Sequence, residues 1–106
     1  MEIGEKVWTI VDVWDDISKR TIGMQLIRSA DSIAANISEG FGRYHYKEAK
    51  QFSYYARGSL FETKTWLTKA KKRNLIKPDQ FTNLTKQIDV LGIKLNNYIK
   101  SIGKNN

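Results

Sequence analysis

The sequence predicts an all-α protein: one domain over residues 1–106, folded as an antiparallel up-down-up-down four-helix bundle. Three observations carry this expectation. In four separate segments apolar residues recur in steps of three and four, the spacing that lines one face of an α-helix. The connections between those segments are short, which makes consecutive helices antiparallel neighbours. No stretch alternates apolar and polar residues as a half-buried strand would. A chain of 106 residues buries about two-thirds of its unfolded surface, enough for a modest core.

The first predicted helix runs from Glu2 to Ser18. Ile3, Val7, Ile10, Trp14 and Ile17 form its stripe, and Trp8 and Val11 widen it. A short turn follows at Lys19 to Thr21, where the Thr21 hydroxyl is placed to cap the second helix. That helix covers Ile22 to Gly40 with Leu26, Ala30, Ile33 and Ile37 on its inner face. The small side chains of Ala30, Ala34 and Ala35 let a neighbour come close. Gly40 and Gly42 are expected to end it, because glycine accepts the left-handed conformation. The third helix spans Lys47 to Asn74, with Phe52, Ala56, Ser59, Thr63, Trp66 and Ala70 in one row. Gly58 inside it implies the close approach of another backbone. The fourth begins at Pro78, the chain's one proline, which suits a first helical position. Phe81, Leu84, Ile88, Leu91, Leu95, Tyr98 and Ile102 give it the cleanest amphipathic pattern of the four. Gly103 to Asn106 reads as a frayed tail.

Composition narrows the function. There is no cysteine, so disulfides and thiolate metal sites are excluded. No apolar run reaches the ~18 residues of a membrane span, and the first residues lack the pattern of a signal peptide; a cytoplasmic location without membrane contact is expected. The net charge is +7, and it is unevenly spread. Residues 46–78 hold nine cations (Lys47, Lys50, Arg57, Lys64, Lys69, Lys71, Lys72, Arg73, Lys77) against Glu48 and Glu62, itself a net +7. Residues 1–16 hold Glu2, Glu5, Asp12, Asp15 and Asp16 against Lys6, a net −4. Such asymmetry points to a polyanionic partner or to basic-to-acidic contacts between subunits; plain solubility is the simpler reading.

Catalytic chemistry has little to use. His45 is the only histidine and falls in a predicted loop. No Glu-x-x-His pair is present for a di-iron bundle, and no serine carries a nucleophile signature. Arg43 and His45 are two residues apart, too close for the Arg-x4–6-His of helical ribonucleases. A non-enzyme without metal or cofactor is therefore expected. Asp12, Asp15 and Asp16 read as a solvated acidic face, although one or two could bind Mg²⁺ with help from substrate phosphates.

A basic stripe along a helix is the electrostatic footprint of phosphate-backbone binding, and it carries no sequence preference by itself. Lys50, Arg57, Lys64, Lys69, Lys71, Lys72, Arg73 and Lys77 form it here, with Arg43 added from the loop. The loop Arg43-Tyr44-His45-Tyr46-Lys47 mixes aromatic and basic side chains. It can stack bases, or it can cover the bundle end or a subunit contact. Arg28, Ser32, Asn36, Glu39, Ser59 and Glu62 lie near the apolar stripes of the second and third helices. Buried polar groups must be paired, so these six are expected to form a structural hydrogen-bonded network, with Asn36 and Glu62 buried.

The same region carries a resemblance. Gln25-Leu26-Ile27-Arg28-Ser29-Ala30, Ser32 to Gly40, and Arg43 resemble the first motif of the four helix bundle protein family, encoded in intervening sequences of bacterial 23S ribosomal RNA genes. Ala56-Arg57-Gly58-Ser59-Leu60-Phe61-Glu62 resembles its second block, Ala-x-Gly-Ser-Leu-x-Glu. Thr63-Lys64-Thr65-Trp66 departs from the leucine- and glutamate-rich continuation of that family. The resemblance implies a four-helix protomer that assembles as a homopentamer. It also extends to accessory proteins of diversity-generating retroelements, basic pentamers that bind a reverse transcriptase and nucleic acid. Two functions remain open on these grounds: a scaffold that binds RNA or DNA non-specifically, and an adaptor that docks a protein such as a reverse transcriptase.

Overall fold

The computed structural model describes residues 2–102 and contains four helices. Helix α1 spans Glu2–Val11. Helix α2 opens with a turn at Asp16–Ser18, continues through a π-helical segment at Lys19–Gly23 and runs on as Met24–Phe41. Helices α3 and α4 span Tyr46–Lys72 and Pro78–Ser101. No strand occurs among the described residues. The segment expected to fray, Gly103 to Asn106, lies outside them.

The first connection differs from the sequence expectation. α1 stops at Val11 rather than Ser18, and the turn occupies residues 12–15 rather than Lys19 to Thr21. Asp15 is the reason. Its carboxylate accepts the Ser18 backbone N–H at 2.9 Å and the Ser18 hydroxyl at 2.9 Å, which starts a new helix there. Thr21 caps nothing; its hydroxyl donates to the Ile17 carbonyl at 2.8 Å inside the π segment. The apolar spacing misled because Trp14 folds back into the core at 8% exposure, as it would on a continuous helix. Ile17, the next member of the supposed stripe, is 69% exposed. Gly23 leaves room for the Val11 side chain: a Cβ there would lie 2.8 Å from Val11 Cγ1 and 3.1 Å from the Ser18 carbonyl oxygen.

The hydrogen bonds from Ser18, the largest influence on Asp15, hold its carboxyl below the ordinary aspartate range. A depressed carboxylate stabilises the fold above its unfolded value and loses that contribution as pH falls through the folded one. Melting of Asp15→Ala should therefore lie below that of the parent at pH 7. The gap should narrow only below about pH 4, the unfolded value of aspartate. A gap that is constant down to pH 2 would show that the carboxylate is not the cap.

α2 and α3 share the closest seam, built from small and hydroxylic side chains. Ala30 and Ala56 are fully buried across it, with Ser29, Ser53 and Thr63. Ser59 donates to Ser32 at 2.9 Å and Thr63 donates to Ser29 at 3.0 Å, so the pairing advances along α3 while it recedes along α2. Between α3 and α4, Arg57 reaches Asn96 at 3.0 Å and Lys64 reaches Asp89 at 2.8 Å, again in opposite senses. Lys6 of α1 donates to Asn83 of α4 at 3.1 Å. Val7, Leu26, Ile33, Leu67 and Leu84 form the centre of the core.

The expected polar network is smaller than the sequence implied. Asn36 donates to the Ser32 carbonyl and hydroxyl, each at 2.9 Å, and Ser32 joins Ser59. Glu62, expected to be buried, is exposed and accepts only from the Trp66 indole N–H at 3.3 Å. Arg28 and Glu39 are exposed as well. Gly58 also departs from expectation, because a Cβ there would meet nothing within 4 Å. Its cost of roughly 1 kcal/mol against alanine has no compensating contact inside the protomer.

The helix ends show a further exchange of roles. Gly42 closes α2 in a right-handed conformation at φ −81°, not the left-handed one expected of it. Asn74 takes the left-handed conformation instead, at φ 59° after α3. The Leu75 N–H donates to the Ala70 carbonyl at 2.9 Å and the Asn74 N–H to that of Lys71 at 3.0 Å, the two bonds of a Schellman closure. Asn74→Gly should raise the melting temperature by a few degrees, because glycine enters this conformation without steric cost. Asn74→Val should lower it; equal melting of the two variants would refute the role.

Candidate nucleic-acid interface

The turn after α3 is short and well fixed, and it gathers the exposed cations. Ile76 is buried beneath it, Pro78 sets the first turn of α4, and Gln80 accepts the Lys77 backbone N–H at 3.1 Å. Lys69, Lys71 and Lys72 occupy the last turn of α3, where cations complement the negative end of the helix dipole. Arg73 and Lys77 follow in the turn. All five are exposed, and none forms an ion pair among the described residues. Two of them lie on aromatic faces: Lys69 Nζ is 5.1 Å from the Trp66 ring centre, and Lys71 Nζ is 4.5 Å from that of Phe81. Such contacts hold a cation in place without neutralising it.

The other predicted cations divide differently. Lys50, Arg57, Lys64 and Lys71 recur every seven residues and lie along one side of α3, the side that meets α4. Arg57 is occupied by Asn96 and stacks on Tyr54, with 4.9 Å to the ring centre. Lys64 is neutralised by Asp89 at 2.8 Å. Lys50 is half-buried. Arg43 stands apart from the cluster: α3 separates them by its 27 residues, about 40 Å at 1.5 Å per residue. There it pairs with Glu39 at 2.8 Å and Glu48 at 3.9 Å, and covers the Phe52 ring at 4.8 Å. Five of the nine predicted residues thus come together as a free cationic surface.

The acidic turn sits at the same end of the molecule as this surface. Asp12, Asp15 and Asp16 do not converge on a common point: Asp15 is committed to Ser18. Among the described residues no group of three or more His, Cys, Asp or Glu side chains is placed to hold a metal ion. His45 is exposed just before α3, beside Tyr44 and Tyr46, both also exposed. No helix among the described residues is long and apolar enough to cross a membrane.

The expected polar network left out Ser29 and Thr63, which are bonded across the α2–α3 seam. Thr63 belonged to the predicted inner row, and its full burial made a hydroxyl partner obligatory.

Comparison with known proteins agrees with this architecture. The model of the 23S rRNA-intervening sequence protein family matches residues 1–97. A crystal structure from Bacteroides thetaiotaomicron, of a protein of unknown function from the S23 ribosomal protein family, superposes with a TM-score of 0.78. The two are 20% identical, and the match covers 94% of this chain and 96% of the other. At that identity the likeness speaks for the fold alone. No curated protein is significantly similar.

Proposed function

This chain belongs to the 23S rRNA-intervening sequence protein family, and from that premise we propose that it is a non-catalytic, basic helical scaffold that binds the phosphate backbone of RNA or DNA without reading sequence. One observation carries the reading: Lys69, Lys71, Lys72, Arg73 and Lys77 converge at one end of the bundle with no carboxylate paired to any of them. Backbone-directed binding needs fixed, exposed cations and no base-reading groups. Neither the family nor its structural neighbour is described as an enzyme. The scaffold acts in the cytoplasm as a homo-oligomer, with the pentamer as its preferred size. The exposed aromatic residues Trp8, Tyr54, Tyr55 and Phe61 support self-association, since such residues are enriched in subunit contacts. A ring repeats the cationic end around its rim and raises the local field.

The test is a titration against single- and double-stranded RNA and DNA at several salt concentrations, with the assembly mass measured alongside. Affinity should fall steeply and linearly on a log–log plot, with similar slopes for unrelated sequences. A parent protein that retains no polyanion at low salt overturns the reading and leaves a protein partner in its place.

A further inference from the structure

The first connection builds a concave site beside the cationic end. Trp8 and Asp12 on α1 share a cavity of ≈ 250 Å³ with Lys19, Arg20 and Met24 on α2, over Val11 and Ile27. It is smaller than the about 300–1,000 Å³ of sites for drug-sized molecules, and suits a single planar ring. Trp8 is 56% exposed, although an indole gains more from burial than most side chains. Lys19 and Arg20 belong to the π segment, a rare conformation that recurs at functional sites.

The charges around this cavity are gathered but not matched. Asp12, Lys19 and Arg20 line it together, yet none of them forms an ion pair among the described residues. Arg20 Nε donates to the Asp16 carbonyl at 3.4 Å, which leaves the outer guanidinium nitrogens uncommitted. A carboxylate and two cations held apart across one cavity leave space for a ligand that bridges them. That ligand carries an N–H donor for Asp12, an anionic group for Lys19 and Arg20, and a flat face for Trp8. The Ser59–Ser32 and Thr63–Ser29 bonds set the register of α2 against α3, and carry Lys19 and Arg20 to the level of Lys71 to Arg73. The bundle is only 22 × 18 Å across, so one strand can touch both sites.

We infer that the cavity takes the base of an unpaired nucleotide in a strand whose phosphates lie on the cationic end. This rests on the backbone reading above and extends it. A duplex is held by its phosphates alone, a single strand by its phosphates and one base. The ring stacks on Trp8, an N–H of its Watson–Crick edge donates to Asp12, and the neighbouring phosphate meets Lys19 and Arg20. Every base has a π-face and at least one such N–H, so the pocket tolerates any sequence; a paired base has both occupied. Asp15 and Asp16 lie outside the lining, and Asp15 is held by Ser18. Trp8 stands on α1, apart from Tyr54, Tyr55 and Phe61 on α3, which remain for subunit contacts.

The test compares a single-stranded oligodeoxynucleotide with an abasic strand of equal length and with a duplex, all at one salt concentration. The parent should bind the base-bearing strand about tenfold tighter than the abasic one, the gain of one stacked base, with quenching of indole emission. Trp8→Ala should bind both strands alike and leave duplex affinity unchanged, and Trp8→Tyr should keep the preference. Asp12→Ala should lower the ratio of the two affinities, a quantity in which its altered charge cancels. Circular dichroism establishes that each variant keeps its helices. A parent without the preference overturns the pocket while the backbone reading stands. A preference that survives in Trp8→Ala does the same, and leaves the exposed indole to a protein partner. A parent that retains neither strand nor duplex at low salt overturns both.

Discussion

Simultaneous replacement of Lys72, Arg73 and Lys77 by glutamine should weaken binding to RNA and DNA by about 10²–10³-fold at 50 mM salt. Each phosphate contact releases condensed counterions and adds close to one unit to the slope of log K against log salt, so the variant's slope should be flatter by nearly three units. The loss should be the same for unrelated sequences, since these side chains touch phosphate rather than bases. These three cations lack the ion pair that occupies Lys64 and the aromatic face beneath Lys69 and Lys71. Arg43→Gln is the matched control. It removes the same charge from a residue already bound to Glu39, at the other end of α3, and should change affinity less than about twofold. A loss for Arg43→Gln equal, on a logarithmic scale, to one-third of that for the triple variant would show that net charge, not the clustered end, drives association.

Leu67→Ala is expected to be the most damaging single change to stability. Leu67 is 0% exposed, on α3 at the centre of the core. Truncation removes the transfer energy of the lost methyl groups and leaves a cavity, a cost of about 2–5 kcal/mol. In a domain near this size each 1 kcal/mol moves the melting temperature by roughly 4–8 °C, so a fall of about 10–30 °C follows. That is a large part of the total stability of roughly 5–15 kcal/mol available to a small domain. Ile93, on α4 and 63% exposed, supplies the contrast; Ile93→Ala should shift melting by only a few degrees. Comparable shifts at the two positions would place the core elsewhere.

The sequence disclosed most where a pattern is long and unbroken. α4 follows its three-four spacing closely: Leu84, Ile88 and Leu95 are buried, and Phe81, Leu91 and Tyr98 pack beside them. The break after α1 was hidden because Trp14 is buried whether or not the helix continues, and an N-capping aspartate looks like any other surface acid. The α2–α3 seam was legible as polar: Ser32, Asn36 and Ser59 bond as expected, and Glu62 is the member displaced by a single residue. Thr63 is buried and Glu62 exposed, and one residue is a rotation of 100° on a helix. Charge totals identified α3 as basic. They did not separate bound cations from free ones, because Lys64 and Arg57 find their partners 25 and 39 residues away.

The uneven closure of the bundle also predicts an order of opening. α2 and α3 are joined by a continuous seam of buried alanines and paired hydroxyls, whereas α1 is short and faces an open groove on its α4 side. Free energies of local opening follow buried contact density, so α1 should come away as a unit while the α2–α3 hairpin persists. Amide protons of Glu5 to Val11 should then exchange with solvent deuterium orders of magnitude faster than those of Leu26 to Ile33 or Ala56 to Leu67.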